Sequence, residues 1–531
     1  MSLQWMLGRT VPEDTYVLGQ ILFPETNLYR QIGDRFDDLF PLEVIFTLLY
    51  EATGRGAIPP LLMSLVTVFQ AWEKVPDRLA AECVVSRIDW KYALHLPLTY
   101  LGFHFTDLTA FRARLISRGE ERLVFDQVLS KLKDAGLVKK GGKARTDSTH
   151  ILAVVEHLGR MELVTESIRV ALQAVSVLVP AWVEQRIPSP FRDVYGERQA
   201  EYGLSDNQVQ QKLIQAGRDG LWFLAQWDRA VPVAPDHVPS AVATLRTVLA
   251  QQFPGGDPQS PAPKRPSGRD VIESPHEPEA RRGTKRSISW TGYKAQVTET
   301  CDAERPHLIT DMDVTNALAN DSPELPKIQE RLQRQDTTPE EHHVDAGYMS
   351  GENLVTSAQK GITLMGKPLA DTQGPKGFQQ ADFQIDETAH QARCPAGQTS
   401  TYWHEDPAPA NGDAPIDIRF DGATCQQCPF YGQCTSSPRG RSLHLHPYRK
   451  ALTERRLEAQ MEAFLIKIRV RAGVEGTISQ LVRGTGTRCA RYRGQVKVRL
   501  QAFFAAVAIN LKRVVSWWVA PRPQAGLTVT G

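Results

Sequence analysis

The stretch Lys143-Ala-Arg-Thr-Asp-Ser-Thr-His-Ile-Leu-Ala-Val-Val155 constrains this chain more than any other. Its threonine, isoleucine and valine suit a pleated, partly buried strand. Asp147 stands near the middle of it, with Thr146, Ser148 and His150 around it. A carboxylate there is costly unless something compensates its charge, and a metal ion would do so. The same aspartate could instead cap a helix starting near Val154.

Long helical patterns flank this strand. Residues 1–42 read as an extended, proline-punctuated start with a short charged stretch. From Leu42 to Leu132 apolar residues recur at spacings of three and four, broken at Gly54–Gly56, Pro59-Pro60, Pro76 and Pro97. Such a helical region, with Arg112 and Arg114 at its corners, could lay a helix against DNA. A second helical block covers roughly 156–252, and residues 253–288, rich in Pro, Gly, Ser and charge, read as a linker. Ser289–Thr300 and His307–Val314 then read as a strand pair, Ala317–Gln335 as a helix and His342–Tyr348 as a short strand. A helix over about 351–360 and the strand Ile362–Met365 complete a mixed α/β layer architecture. Residues 370–446 are irregular and cysteine-bearing, and 450–519 are helical again.

At 531 residues the chain exceeds one ordinary core, and about two to four domains are expected. Its 41% apolar and 23% charged content is that of a soluble globular protein. The net charge of +2 hides basic clusters at 281–286 and 483–499, which are footprints of an anionic partner such as nucleic acid or merely solvated faces. No secretory signal pattern is visible. No run reaches the roughly 18 apolar residues of a membrane span, and the nearest, Phe503–Ile509, is followed by Lys512 and Arg513. Seven cysteines, four of them grouped, do not resemble a secreted disulfide scaffold. A cytosolic protein with no membrane partner is expected.

Two further carboxylates stand out. Asp345, in His343-Val-Asp-Ala-Gly-Tyr348, ends a short strand before a glycine, where α/β sheets meet their ligands, though an aspartate there could simply form a turn or cap a helix. Glu475 sits between Gly473 and Gly476 in a helical pattern. Each glycine costs about 1 kcal/mol relative to alanine in a helix, which makes sense if DNA or metal must come close; otherwise Glu475 is a surface glutamate. Cys394, Cys425, Cys428 and Cys434 offer four thiolates with one CxxC pair, a plausible tetrahedral structural zinc site in a segment short of apolar residues. The other reading is four reduced, unliganded cysteines. Cys83, Cys301 and Cys489 are isolated and read as core thiols.

Taken in order, Arg145-Thr-Asp-Ser-Thr-His150, Trp290-Thr-Gly-Tyr-Lys294, Thr298-Glu-Thr-Cys-Asp302, Val344-Asp-Ala-Gly-Tyr348 and Gly473-Val-Glu-Gly-Thr-Ile-Ser-Gln480 resemble a DDE transposase of bacterial insertion sequences, specifically the family numbered eleven-eighty-two. Trp90–Leu98, Gly102-Phe103 and Phe111–Leu115 are similar to that family's helical N-terminal region, and the resemblance runs from about residue 15 to 515. It implies an α/β ribonuclease-H-like catalytic core in which Asp147, Asp345 and Glu475 bind two Mg²⁺ or Mn²⁺. The implied activity is cleavage of double-stranded DNA at the element's ends and transfer of the 3′-hydroxyl into target DNA, performed by a homo-oligomer on paired ends. A nuclease of the same fold without strand transfer, and a DNA-binding descendant that no longer cuts, are the alternatives.

The expected organisation is a helical N-terminal region (1–140) engaged with DNA ends, the first core strand (141–155), a helical insertion and linker (156–288), the main catalytic core (289–369), a cysteine-rich zinc-binding insertion (370–446) and core helices with a basic DNA-binding stretch (447–531). Related transposases often carry Tyr, Arg, Glu and Lys at fixed steps. Arg471 fits, but Ile468 and Val482 hold the Tyr and Lys places, leaving Arg483 or Lys497 to supply the cation. Gln296 stands where a histidine is expected. Arg483, Arg488, Arg491, Arg493 and Lys497 would contact phosphates, and Tyr492 would stack on a base or sugar.

Overall fold

The computed structural model describes residues 1–520 except 6–7, 42, 156–157, 198–202, 230–237, 258–260, 267–269, 286 and 371–373. Leu42 and Glu156, where the two helical blocks were expected to start, lie outside the described residues. So do parts of the 253–288 linker and the last residue of the basic run 281–286.

The stretch around Asp147 is a strand, β1 (Lys143–Leu152). Among the described residues no helix starts near Val154. The next one, Arg160–Leu178, has its first turn closed by the Glu162 carboxylate accepting from the Gly159 N–H, so Asp147 caps nothing. With β2 (Arg281–Lys285), β3 (Ile288–Thr300), β4 (Ile309–Asn316), β5 (Glu341–Val344) and β6 (Thr363–Met365), β1 forms one sheet. β1 lies at its centre, antiparallel to β3 from Ala144↔Thr300 to Leu152↔Gly292 and parallel to β5 from Lys143↔Glu341 to Thr146↔Val344. β4 pairs antiparallel with β3, β6 pairs parallel with β5, and β2 pairs only with the first residues of β3. The main path is therefore β4-β3-β1-β5-β6, three antiparallel strands followed by two parallel ones.

Side chains alternate across such a sheet, and both faces are covered. Ile151, Tyr293, Ala295 and Val297 on one face join Ile309, Met312 and Val314 under the helix Gln495–Val519. Val344 on the other face packs with Leu325, Ile328 and Leu332 of the helix Glu324–Arg334 and with Tyr348. That helix starts after Pro323 rather than at Ala317, because proline suits a helix start and not its interior.

The N-terminal helices share the first of these cores. Phe69, Trp90, Phe111 and Phe125 belong to the same apolar cluster as Phe503, Phe504 and Val507, and the rings of Phe125 and Phe503 lie 5.9 Å apart. The helix Gln495–Val519 is long and apolar enough to cross a membrane by length and composition, and here most of it is buried in that cluster. Residues 13–39, expected to be extended, form the helices Glu13–Leu22, Leu28–Asp34 and Phe36–Leu39. Packing decides this: Gly19 and Gly33 lie against the Tyr92 ring so closely that a methyl group would come within 2.2 and 2.7 Å of it.

Two segments keep cores of their own. Between β1 and β2, helices including Arg160–Leu178, Asp206–Arg229 and Ser240–Gln252 enclose Val164, Ile168, Phe223, Trp227 and Leu245. After β6 come the hairpin β7 (Gln384–Asp386) and β8 (Gln391–Arg393) and a sheet of β9 (Tyr402–Glu405), β10 (Ile416–Arg419) and β11 (Ser442–Leu445). They gather Phe383, Ile416, Ile418, Phe420, Leu443 and Leu445 into a small core, more apolar burial than the composition of this segment suggests.

Candidate active site and its surroundings

β1 and β5 run in register up to Thr146↔Val344, and the next residue on each is an aspartate, Asp147 and Asp345. Asp345 keeps an extended backbone just beyond β5, before the turn Ala346–Tyr348. The two carboxylates thus sit side by side on neighbouring parallel strands. Burial, above all, raises the Asp147 carboxyl over its ordinary range. The Ser148 N–H, donating to Oδ1 at 2.7 Å, opposes this, the charge of Asp345 raises it further, and Lys285 and Arg471 lower it. Arg471 Nη1 donates to Asp147 Oδ2 at 3.2 Å.

Glu475 lies in the short helix Val474–Ser479, which follows the tight turn Arg469–Gly473 and packs against β1. Its side chain is exposed, whereas Asp147 and Asp345 are half-buried. Among the described residues no group of three or more His, Cys, Asp or Glu side chains is placed to hold a metal ion. The structure therefore brings two of the three expected carboxylates together and leaves the third on an adjoining helix. Paired oxygen donors, one of them penalised by burial and by its neighbour, fit a hard divalent cation. The glycines beside Glu475 differ in role. A side chain at Gly473 would strike Arg145, whereas one at Gly476 would meet nothing within 4 Å.

The loop after Glu475 is tied to the end of β1. Leu152 N donates to the Arg488 carbonyl and Ala490 N to the Leu152 carbonyl, each at 2.8 Å. Several side chains expected to meet DNA are engaged with other parts of the protein, although Arg491 remains exposed. Arg488 donates to the His150 carbonyl, Arg491 to the Val75 carbonyl at 2.7 Å, and the half-buried Tyr492 ring lies 5.1 Å beneath the Arg112 guanidinium. That packing occupies the ring face a base would need. Arg483, Arg493 and Lys497 are exposed. Lys285, at the tip of β2, acts on both Asp147 and His150 through its charge; the sequence signalled it only as part of the basic run 281–286.

The residue at 296 also finds its role. Gln296 is buried, accepts from the Tyr348 hydroxyl and donates to Asp321 Oδ1 at 3.3 Å. It thereby links β3 to the turn just after Asp345.

The four grouped cysteines surround a cavity of about 340 Å³ between the β7–β8 hairpin and the helix Gly422–Gln426. Burial, foremost, lifts the Cys434 thiol against the lowering charge of Arg441, and Cys425, Cys394 and Cys428 add to the rise, so the other three are each within electrostatic reach of Cys434. Each is a free thiol. The soft donor set fits zinc, although the side chains are not gathered to metal-holding positions. Cys83 and Cys301 are buried as expected of core thiols, but Cys489 is exposed, because the strand-like pairing of its loop with Leu152 turns it outward.

Two segments match known families. Residues 393–515 match the family described as Transposase DDE domain, and residues 19–114 match Transposase domain (DUF772). The first includes Glu475 and the four cysteines; neither includes Asp147 or Asp345. Searches of curated proteins and of solved structures returned no match. Taken together, the two matched segments support a DDE transposase of insertion-sequence type.

Proposed function

We propose that this chain is a DNA transposase that cuts the ends of an insertion sequence and joins the freed 3′-hydroxyl to target DNA, with Asp147, Asp345 and Glu475 as its metal-binding carboxylates. The observation that carries the reading is the side-by-side placement of Asp147 and Asp345 on the parallel strands β1 and β5. The strand path β4-β3-β1-β5-β6 supports a ribonuclease-H-like core around them. The ordered motifs support membership of insertion-sequence family eleven-eighty-two. Two bound divalent cations would activate the attacking water or hydroxyl and stabilise the leaving oxygen of a phosphodiester.

The remaining work falls to the chain's own groups. Asp147 and Asp345 supply negative charge at one point of the sheet, and burial of Asp147 keeps water from screening it. Arg471 neutralises Asp147 when no DNA is present; a phosphate arriving beside it offers the guanidinium a bidentate partner and releases the carboxylate. Lys285 borders the site, and the exposed Arg483, Arg493 and Lys497 follow Glu475 along the chain, with positive charge suited to a DNA backbone. The N-terminal region shares its core with the helix Gln495–Val519, so DNA held there would be registered against the site. The four cysteines hold a structural zinc in this reading, and paired element ends are bound by more than one copy.

One observation favours a second reading. The Asp147–Arg471 pair, and the lack among the described residues of three carboxylates gathered for a metal, are what a DNA-binding descendant that no longer cuts would also show. A cell-free assay on labelled DNA carrying the gene's own flanking ends, with Mg²⁺ or Mn²⁺, separates the two. Metal-dependent cuts at the element boundary, lost in Asp345→Ala, are expected, together with joining to target DNA. Binding without cleavage by the wild type would establish the second reading, and cleavage without joining would mark a nuclease.

A further inference from the structure

Glu299, in the Thr298-Glu-Thr-Cys-Asp302 motif of β3, has no role in the reading above, yet it is wholly buried. A carboxylate so placed must be fully hydrogen-bonded to be tolerated. Its partners come from three other parts of the chain. Arg145 Nε of β1 donates to Oε1 at 2.7 Å, Arg513 Nη1 of the helix Gln495–Val519 donates to Oε2 at 2.6 Å, and the Thr477 hydroxyl donates to the same oxygen. Arg145 also donates to the Val470 carbonyl at 2.8 Å, and Arg513 to the Thr477 hydroxyl and the His307 carbonyl.

The attachment points of this network are not scattered. Val470 and Thr477 bracket Arg471 and Glu475, and Arg145 precedes Asp147 by two residues on the same face of β1. The segment that carries Arg471 and Glu475 is therefore held at both ends by groups that converge on one carboxylate. Gly473 gives independent support, since a methyl group there would lie 1.9 Å from Arg145 Nη1. The glycine is needed for the arginine to pass under the segment, whatever approaches from outside.

We propose that Glu299 is a positioning residue for the candidate active site: through Arg145 and Thr477 it fixes the segment 469–479, and with it Glu475, over Asp147. This rests on the transposase reading. Glu299 touches neither substrate nor metal, and it acts by limiting where Glu475 can be when cations and DNA enter. Groups one shell removed from a metal commonly change affinity or activity by about 10–100-fold.

The test uses the full-length chain. Thr477→Val removes the hydroxyl without altering side-chain volume or buried charge, Thr477→Ser keeps it, and Gly473→Ala displaces Arg145 by sterics alone. Three quantities are read: amide hydrogen exchange across 469–479, Mn²⁺ affinity by the paramagnetic signal of free ion, and end-cleavage rate against Mg²⁺ concentration. Thr477→Val and Gly473→Ala are expected to speed exchange in 469–479 but not in β1. They should weaken Mn²⁺ binding about 10-fold and raise the half-saturating Mg²⁺ by a similar factor, with affinity for end DNA unchanged and Thr477→Ser close to wild type. Unchanged exchange, or faster exchange with Mn²⁺ affinity intact, would overturn the positioning role. A wild type that neither binds Mn²⁺ nor cuts would instead overturn the transposase reading and the positioning role with it, leaving any exchange change as the mark of a structural tie.

Discussion

Asp147 shows how one residue sets function against stability. Its carboxyl titrates above the ordinary range because burial, and then Asp345, disfavour its charge. The folded chain therefore holds this proton more tightly than the unfolded chain. The contribution of the group favours the fold below the ordinary carboxylate pKa and is lost as pH rises through the raised value. At neutral pH the charge is a liability that a bound cation would relieve. Asp147→Asn should abolish cleavage and yet raise stability at pH 7.5, with the gain shrinking as pH falls through the ordinary carboxylate range. Calorimetry at both pH values checks this, and a variant less stable than wild type at pH 7.5 would refute it. The sequence singled out Asp147 because a carboxylate in a β-branched run is unusual. It gave no comparable sign of Arg471 as its partner, since an ion pair spanning residues 147 and 471 has no local pattern.

At the scale of elements, the cysteine-bearing segment carries the clearest test. β7 to β11 enclose a core of few side chains, and small cores of this kind usually need a staple. Four thiols around one cavity supply the donors for one. Purified protein is expected to contain about one zinc per chain, the Zn₁Cys₄ stoichiometry of a structural site. Chelation or Cys428→Ser should expose residues 383–446 to proteolysis while β1 stays protected. Metal-free protein with the same cleavage pattern would show that the thiols are simply reduced. The sequence marked this segment by its CxxC spacing, but not the sheet β9–β11, whose strands are too short to show alternation. The helices of residues 13–39 were missed for a related reason. Prolines and charges dominate the local signal there, and what secures those helices is the distant ring of Tyr92.

In the whole molecule, the N-terminal helices, the sheet and the helix Gln495–Val519 share one core, so the basic loop at 483–497 is held between the candidate site and residues 74–75. Exposed and engaged cations in that loop should behave differently. Arg493→Ala and Lys497→Ala are each expected to reduce the slope of log K against log salt for DNA binding by about 1. Arg488→Ala, whose guanidinium is turned inward to the His150 carbonyl, should leave that slope unchanged. A titration between 50 and 300 mM salt on end DNA (~50–300 mM spans the range where counterion release dominates) decides it; equal slopes for all variants would place the DNA elsewhere. Sequence alone determined the central strand with its carboxylate, the strands β3 to β6 with the helices between and after them, and the grouping of the cysteines, because period, turn residues and spacing are local properties. β2 fell in the expected linker and β7 to β11 in the expected irregular segment. It also offered Asp345 and Glu475 through ordered motifs. Only the tertiary structure decided that Asp147 and Asp345 stand side by side while Glu475 is exposed on a helix packed against β1, that Gly473 makes room for Arg145, and that Glu299 and its partners tie four distant segments together. Those outcomes depend on which side chains meet across hundreds of residues, where burial makes a charge costly and one partner among many satisfies it.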